Sequence, residues 1–190
     1  MRLGIYGGSF DPPHVGHLLT ASDACEALAL DRLIWVPAGI QPLKVGQALA
    51  SSAQRLAMVH RLVAGDARFE VDPVEIDRDG LSYTVDTVAA YAERFPGAEL
   101  FLLVGADVLT SFDRWREPER IRQLATLAVL ERTVEGEAAP DPPPGSQRLA
   151  TRRVDVSSTE IRARLAAGLS IHGFVPESVE RFIAAERLYR

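Results

Sequence analysis

The residues best suited to chemistry lie in one short segment near the start of the chain, Gly7 to His17, with the sequence GGSFDPPHVGH. Gly7 and Gly8 follow a short apolar run, and a backbone without side chains lets N–H groups approach a bound phosphate. His14 and His17 are three residues apart, so on a helix that begins near Pro13 they share one face. That face lies at the helix N-terminus, where the dipole favours an anion. The segment therefore predicts a phosphate-binding site.

Other interpretations of this segment have less support. Its spacing matches neither G-x-G-x-x-G nor the P-loop, which would end in Gly-Lys-Ser/Thr. A metal site is disfavoured because Asp11 is the only acid close by in sequence and His-x-x-His is not a standard zinc spacing. A surface helix start that happens to hold two histidines is the structural alternative. Gly16, between the histidines, is expected to leave room for a nucleotide.

A second candidate phosphate element, Ser157-Ser158-Thr159-Glu160-Ile161-Arg162, lies far along the chain. Ser157 and Glu160 have the spacing of a capping box, which by itself is a structural device. Three hydroxyl residues in a row, with Arg162 one turn into the helix, also suit the phosphates of a nucleotide. The two interpretations stay open on these residues alone. A shared phosphate site requires the two segments to meet in the fold.

Short apolar strands alternate with helices and would position both segments. Strands are predicted at residues 3–6, 33–36, 69–76 (interrupted by Pro73), 100–104, 127–130 and 148–156. Helices are predicted at residues 15–30, 52–63, 83–94, 118–124, 158–167 and 176–188, with a short one after Gly105. This alternation predicts one α/β domain over residues 1–190, with a mostly parallel sheet and ligands beyond the strand ends. The proline-rich residues 133–147 are predicted to form a surface loop.

Composition narrows the class of partner. The 190 residues carry a net charge of −5, whereas coating nucleic acid or an anionic membrane needs a positive surface, so neither partner is expected. A lone cysteine, Cys25, is typical of a cytoplasmic protein, and the first apolar run is too short for a signal peptide. No apolar run reaches the roughly 18 residues of a membrane span. The sequence leaves the oligomeric state open, a homo-oligomer included.

The two phosphate segments resemble the signatures of the nucleotidylyltransferase superfamily. His14, Gly16 and His17 match H-x-G-H, and residues 157–162 match Ser-Ser/Thr-x-x-Ile-Arg, in the expected order. The resemblance implies a Rossmann-like sheet with helices on both faces, and histidines that hold the phosphates of ATP. It implies these ATP-site residues: Gly7, Gly8, Ser9, Phe10, Gly16, Gly105, Asp107, Ser157, Ser158 and Thr159.

The middle of the chain resembles the nicotinate-nucleotide adenylyltransferase family. Residues 80–87 read GLSYTVDT, and a Gly-Ala-Asp turn at 105–107 is followed by Trp115. In that family the Ser-Tyr-Thr turn and the tryptophan border a pyridine mononucleotide pocket, and Trp115 offers a flat face for a pyridine ring. A capped helix and a packing tryptophan are the structural alternatives. The residues assigned to the acceptor are Ser82, Tyr83, Thr84, Trp115 and Arg132.

The resemblance implies adenylyl transfer from ATP to nicotinate mononucleotide, which gives deamido-NAD and pyrophosphate in NAD biosynthesis. The candidate catalytic residues are His14, His17, Lys44 and Arg162. Mg²⁺ is expected to bind through the phosphates of ATP, without ligands from the protein. Leu43 stands where many relatives carry a histidine, which removes an imidazole from that position. Nicotinamide mononucleotide or phosphopantetheine as acceptor, and a non-catalytic nucleotide-binding regulator, are the alternatives.

Overall fold

Six strands form a sheet in a computed structural model that describes residues 1–40, 50–132 and 141–190. They are β1 (Arg2–Gly8), β2 (Arg32–Pro37), β3 (Phe69–Val71), β4 (Glu99–Gly105), β5 (Thr126–Arg132) and β6 (Gln147–Thr151). Their order is β3-β2-β1-β4-β5-β6, and every neighbouring pair is parallel. The central strands are apolar and buried on both sides, as parallel strands covered by helices must be.

Helices cover both faces of this sheet. They are α1 (Val15–Ala27), α2 (Ser52–Val63), α3 (Thr84–Arg94), α4 (Pro118–Leu124), α5 (Ser158–Ala166) and α6 (Glu177–Ala185), with a 3₁₀ segment at Ala106–Arg114. One core lies under α1, α2, α5 and α6 and contains Trp35. The other lies under α3, α4 and the 3₁₀ segment and contains Ile5 and Tyr91. Trp35 is fully buried, as its strand position predicts.

The strand order reverses beside β1. The chain moves outward from β1 through β2 to β3, then returns through α3 to β4 on the other side of β1. In β1, Ile5 therefore has Ile34 of β2 opposite it on one side and Leu102 of β4 on the other. In sheets of this kind ligands bind beyond the carboxyl ends of the strands at the reversal. Those ends are Gly8 and Gly105.

The predicted Rossmann-like α/β class is confirmed, and several element boundaries are corrected. Strand β3 ends at Val71 because Pro73 has no N–H to donate to a ladder. Strand β6 covers Gln147–Thr151 instead of residues 148–156, because the backbone N–H of Arg152 donates to the Asp23 carboxylate of α1 at 2.8 Å. Of the predicted loop at 133–147, residues 133–140 lie outside the described residues. No helix in the described ranges is both long and apolar enough to cross a bilayer.

Candidate active site

The turn after β1 is anchored by Phe10. Its backbone is left-handed, with φ 49°, and its side chain is 2% exposed. The ring centroid lies 5.6 Å from that of Tyr6 and 5.4 Å from that of Trp35. The Phe10 side chain packs in the core, so only its backbone is left to serve the ATP site to which the sequence assigns it. The ring fixes the turn that carries the predicted phosphate-binding residues.

Helix α1 begins at Val15, as in the helix predicted over residues 15–30, and not near Pro13, where the shared helical face of the two histidines would need it. His14 precedes the helix in an extended conformation, with φ −146° and ψ 172°, which is typical of an N-cap residue. Its side chain is 3% exposed, whereas His17 is half-buried. The two imidazole rings lie with centroids 3.8 Å apart. The histidines meet as the residue before the helix and a residue of its first turn, and not as two residues of one helical face.

One hydrogen bond sets the chemistry of His17. The backbone N–H of His14 donates to Nδ1 of His17 at 3.3 Å. A nitrogen that accepts a hydrogen bond carries no proton, so the neutral ring holds its proton on Nε2. His17 is thus a hydrogen-bond donor through Nε2, which is the role that a phosphate oxygen requires.

Glycines near the turn serve different partners. A Cβ on Gly16 would lie 2.9 Å from Nδ1 of His14, so Gly16 leaves room for the histidine ring, and the expected room for a nucleotide stays a prediction. A Cβ on Gly8 would lie 2.9 Å from the Phe10 ring. A Cβ on Gly7 would meet nothing within 4 Å. Of these three, Gly7 is the one that faces open space.

The two phosphate segments meet in space. The Ser158 hydroxyl donates to the carbonyl of Pro12 at 2.8 Å, and Nη1 of Arg162 donates to the carbonyl of Asp11 at 2.7 Å. Nη2 of Arg162 also bonds the Thr159 hydroxyl at 3.2 Å. The Ser157 hydroxyl accepts from the Glu160 N–H at 3.1 Å, so Ser157 caps α5. Residues 157–162 therefore both cap α5 and contact the first phosphate segment, so the two interpretations of this element are compatible.

A cavity of about 290 Å³ opens at the strand reversal, on the sheet face covered by α3. The predicted residues Gly7, Gly8, Ser9, Gly105, Ser82, Tyr83, Thr84 and Trp115 line it. Asp107 lies outside this lining and is exposed, with its carboxylate folded back against Gly105. The structure thus brings the predicted acceptor residues into one cavity with the glycines of β1 and β4.

Within the cavity wall, Ser82 and Tyr83 hold the start of α3. The Ser82 side chain is buried, and its hydroxyl donates to the Glu75 carbonyl at 3.0 Å, so it shapes the turn. Tyr83 precedes the helix, and the Arg116 guanidinium lies 4.8 Å above its ring. The first N–H groups of α3 begin at Thr84, and helix starts of this kind offer donors to an anion.

Three charged residues of the cavity wall were not assigned to the site from the sequence. Arg114 and Arg116 bring cations to the wall beside Trp115, and their position next to an assigned tryptophan could have indicated them. Glu75 is 9% exposed and accepts a hydrogen bond from the Thr87 hydroxyl at 2.9 Å. Burial raises the pKa of the Glu75 carboxyl. No sequence pattern separates Glu75 from the surface acids around it.

Two assigned cations cannot be placed. Lys44, with its neighbour Leu43, lies outside the described residues. The backbone of Arg132 ends β5 at the same edge of the sheet, but its side chain lies outside the part of the chain that the structure describes. Among the described residues, no group of three His, Cys, Asp or Glu side chains could hold a metal ion.

Relatives with known names share this architecture. A family model described as cytidylyltransferase-like matches residues 5–164. A probable nicotinate-nucleotide adenylyltransferase of Gemmatimonas aurantiaca is 51% identical over 197 residues, which cover 100% of this chain and 93% of the relative. The one of Thermus thermophilus is 44% identical over 190 residues, which cover 100% of both chains.

Solved structures agree on the fold. Plasmodium falciparum nicotinic acid mononucleotide adenylyltransferase complexed with NaAD superposes with a TM-score of 0.79 at 18% identity, over 99% of this chain and 97% of that one. The same protein complexed with APC gives 0.77 at 17% identity, over 99% and 96% of the two chains. The fold and the two joined phosphate segments are those of a nucleotidyltransferase. With relatives this similar over its whole length, the chain belongs to the cytidylyltransferase-like family and, within it, to the nicotinate-nucleotide adenylyltransferases.

Proposed function

We propose that this protein transfers the adenylyl group of ATP to nicotinate mononucleotide, giving deamido-NAD and pyrophosphate in NAD biosynthesis. One observation carries the proposal. The bonds of Arg162 to Asp11 and of Ser158 to Pro12 join two phosphate segments beside a cavity that Tyr83 and Trp115 line. The names of the relatives that match the full chain support the same reaction.

The two substrates approach from different faces of the sheet. The cavity lies on the face of α3, whereas His17 packs against Phe10, which belongs to the core under α1. The backbone from Gly7 to Ser9 crosses between them at the end of β1. Nicotinate mononucleotide in the cavity would therefore place its phosphate beside the α-phosphate of an ATP held over α1.

The reaction needs positioning and charge dispersal. The acceptor phosphate has a second pKa of about 6, so at neutral pH it is already largely a dianion and needs no general base. Its oxygen attacks the α-phosphorus as the bond to the β-phosphate oxygen breaks, and pyrophosphate leaves with that electron pair. The task of the site is to align two anions and stabilise the charge that develops.

Donors of this chain supply that stabilisation. Nε2–H of His17 contacts the phosphate in the transition state, and Arg162 screens the triphosphate. His14, which is buried against His17, orients that ring through its backbone N–H. Lys44 is proposed as a further cation on the triphosphate. Mg²⁺ bound with ATP would supply charge neutralisation at the triphosphate, without ligands from the protein.

The cavity wall favours a carboxylate over an amide. Trp115 provides a face for the pyridine ring, and the N–H groups at the start of α3 provide donors. Arg114 and Arg116 add two cations to the same wall, and Arg116 also pairs with Glu117 at 3.6 Å. Nicotinate carries a negative charge that these groups attract, whereas nicotinamide does not.

Labelled ATP tests the reaction directly. With purified protein, Mg²⁺ and nicotinate mononucleotide, the label of α-³²P-ATP should appear in deamido-NAD and the label of γ-³²P-ATP in pyrophosphate. Label from the γ-position in the acceptor would indicate a kinase instead. Label in no product, under conditions where ATP binds, would favour a nucleotide-binding regulator. Omission of Mg²⁺ with a chelator present should abolish transfer, and unchanged transfer would contradict the role given to the metal.

A further inference from the structure

The end of the chain returns to the turn that follows β1. The Tyr189 hydroxyl donates to Oδ1 of Asp11 at 2.6 Å, across almost the whole length of the sequence. Ile183 and Leu188, which are 1% and 9% exposed, fix this segment to the core under α6. Arg187 and Tyr189 have φ values of 53° and 62°. At Arg187 this is the left-handed residue that commonly follows a helix C-cap, and the N–H of Leu188 donates to the Ile183 carbonyl at 3.1 Å.

Asp11 is the junction of this contact network. The same Oδ1 also accepts the backbone N–H of Ala50 at 3.2 Å, and the Asp11 carbonyl accepts from Arg162. The residue is 5% exposed, so its carboxylate is buried and hydrogen-bonded. Burial, and then the bond to Asp11, raises the pKa of the Tyr189 hydroxyl, which therefore remains a donor at neutral pH.

We propose that Tyr189 is a positioning residue for adenylyl transfer, which holds Asp11 and through it the backbone that leads to His14 and His17. The inference rests on the proposed function. Tyr189 does not line the acceptor cavity, so its action is on the phosphate side of the reaction. A misplaced transition-state contact costs rate even when the mutated group is remote from the chemistry.

Tyr189→Phe removes one hydroxyl and keeps the packing ring. Without the hydroxyl, the hydrogen bond that holds the Asp11 carboxylate is lost. Because a hydrogen bond to a charged group is stronger than a neutral one, we expect its loss to lower kcat roughly 10-fold. KM for nicotinate mononucleotide should stay within about twofold, because the cavity is unchanged. Tyr91→Phe is the matched control, since Tyr91 is also a buried tyrosine, but it lies on α3 in the core of the other face. Its kcat should match that of the unmutated protein.

A double-mutant cycle tests whether Tyr189 acts through Asp11. On an Asp11→Ala background, Tyr189→Phe should cause no further loss of kcat. Amide hydrogen exchange of residues 9–17 provides a readout that does not need turnover. Exchange in this segment should be faster in Tyr189→Phe and unchanged in Tyr91→Phe.

Several results would overturn the proposal. The first is that Tyr189→Phe changes neither kcat nor amide exchange. The second is that Tyr189→Phe lowers kcat by the same factor with and without Asp11→Ala. The third is that the KM for nicotinate mononucleotide rises by as large a factor as kcat falls. If Asp11→Ala does not fold, the comparison of Tyr189→Phe with Tyr91→Phe still decides. If the unmutated protein transfers no adenylyl group, the proposed function fails, and the exchange of residues 9–17 alone then decides whether Tyr189 positions the turn.

Discussion

At the scale of single residues, the site relies on hydrogen-bond donors and cations, and each has a neighbour that orients it. The His14 backbone fixes the proton of His17, the Asp11 carbonyl holds Arg162, and the Glu75 backbone holds Ser82. Preorganised donors of this kind stabilise developing charge without reorganising during the reaction. The removal of a donor should therefore affect turnover far more than folding.

His17→Ala should lower kcat about 10²- to 10³-fold, the usual loss for one transition-state donor. The side chain is half-buried at the open end of the sheet, so the thermal unfolding temperature should change by only a few degrees. His172→Ala is the control, because that imidazole is exposed and bonds to Glu180 of α6. Activity of His17→Ala near that of the unmutated protein would remove His17 from the mechanism.

Glu75 gives a pH dependence with a definite sign. Burial raises the pKa of Glu75 above its ordinary value of 4.5, so above pH 4.5 the unfolded chain releases this proton while the folded protein retains it. The free energy of unfolding therefore falls as pH rises from 4.5 towards the raised pKa. Glu75→Gln keeps an acceptor for Thr87 and removes this loss.

Urea unfolding of the unmutated protein and Glu75→Gln, at pH 4 and at pH 7, measures the effect. The stability of the glutamine variant relative to the unmutated protein should increase between the two pH values. A difference that stays constant with pH would show that the Glu75 carboxyl titrates alike in the folded and unfolded states.

The location of a residue at the candidate site could be predicted where a motif fixes it, and not where packing does. His17 and Trp115 follow from motifs with a clear chemical use. Phe10 belongs to the same motif, yet its ring turns into the core, because the adjacent Gly8 leaves space there. Glu75 could not be predicted, because its burial depends on contacts with α3 that no local pattern encodes.

At the scale of elements, α2 holds two of the loops around the site. Arg55 of this helix is 3% exposed, with Nη1 donating to the carbonyl of Ser9 at 2.8 Å and Nη2 to that of Ala38 at 2.7 Å. Burial lowers the pKa of its guanidinium, although a planar fork with several donors can still bridge two carbonyls. The ends of β1 and β2 are thus fastened to a single side chain.

Arg55→Lys should weaken this fastening, because an ammonium group lacks the fork that reaches both carbonyls. We expect a loss of about 2 kcal/mol in the free energy of unfolding, together with a reduced kcat. Arg61→Lys, which changes an exposed arginine of the same helix, should alter both quantities little. Equal effects of the two substitutions in urea unfolding and steady-state assays would contradict the role given to Arg55.

The boundaries of helices and strands could be predicted where a residue that interrupts secondary structure, such as proline, sets them. Pro73 interrupts the predicted third strand, and β3 accordingly ends at Val71 after three residues. The end of β6 was not predictable, because Asp23 of α1 takes the N–H of Arg152 by a tertiary contact. The start of α1 at Val15 agrees with the helix predicted over residues 15–30, whereas its end at Ala27 comes before the predicted residue 30.

At the scale of the whole molecule, the sheet separates the acceptor cavity from the histidines, and β1 is where the two sides meet. Gly7 and Gly8 alternate between the faces, as neighbours on a strand must. The backbone of both glycines lines the cavity, but a Cβ on Gly7 would point into open space, whereas a Cβ on Gly8 would point to the Phe10 ring on the other side. The parallel direction of the strands, which places both glycines at one edge of the sheet, could be predicted from the strand–helix alternation.

Gly7→Ala should therefore affect substrate binding, and Gly8→Ala should affect the stability of the fold. A methyl group on Gly7 meets no protein atom within 4 Å, so stability should be kept while the KM for nicotinate mononucleotide rises about 10-fold or more, because the cavity shrinks. A methyl group on Gly8 would lie 2.9 Å from the Phe10 ring and should destabilise the fold by about 1–3 kcal/mol. Thermal unfolding and substrate titrations distinguish the two, and a destabilised Gly7→Ala with unchanged KM would contradict this arrangement.

The most direct test offers three acceptors in turn, with ATP and Mg²⁺, and compares kcat/KM from pyrophosphate release. Nicotinate mononucleotide should be used best, and nicotinamide mononucleotide at least roughly 10-fold less well, because the donors of the cavity wall would face an amide where they attract a carboxylate. With phosphopantetheine as the acceptor, no pyrophosphate should be released from ATP. Equal or better use of nicotinamide mononucleotide or phosphopantetheine would contradict the proposed acceptor.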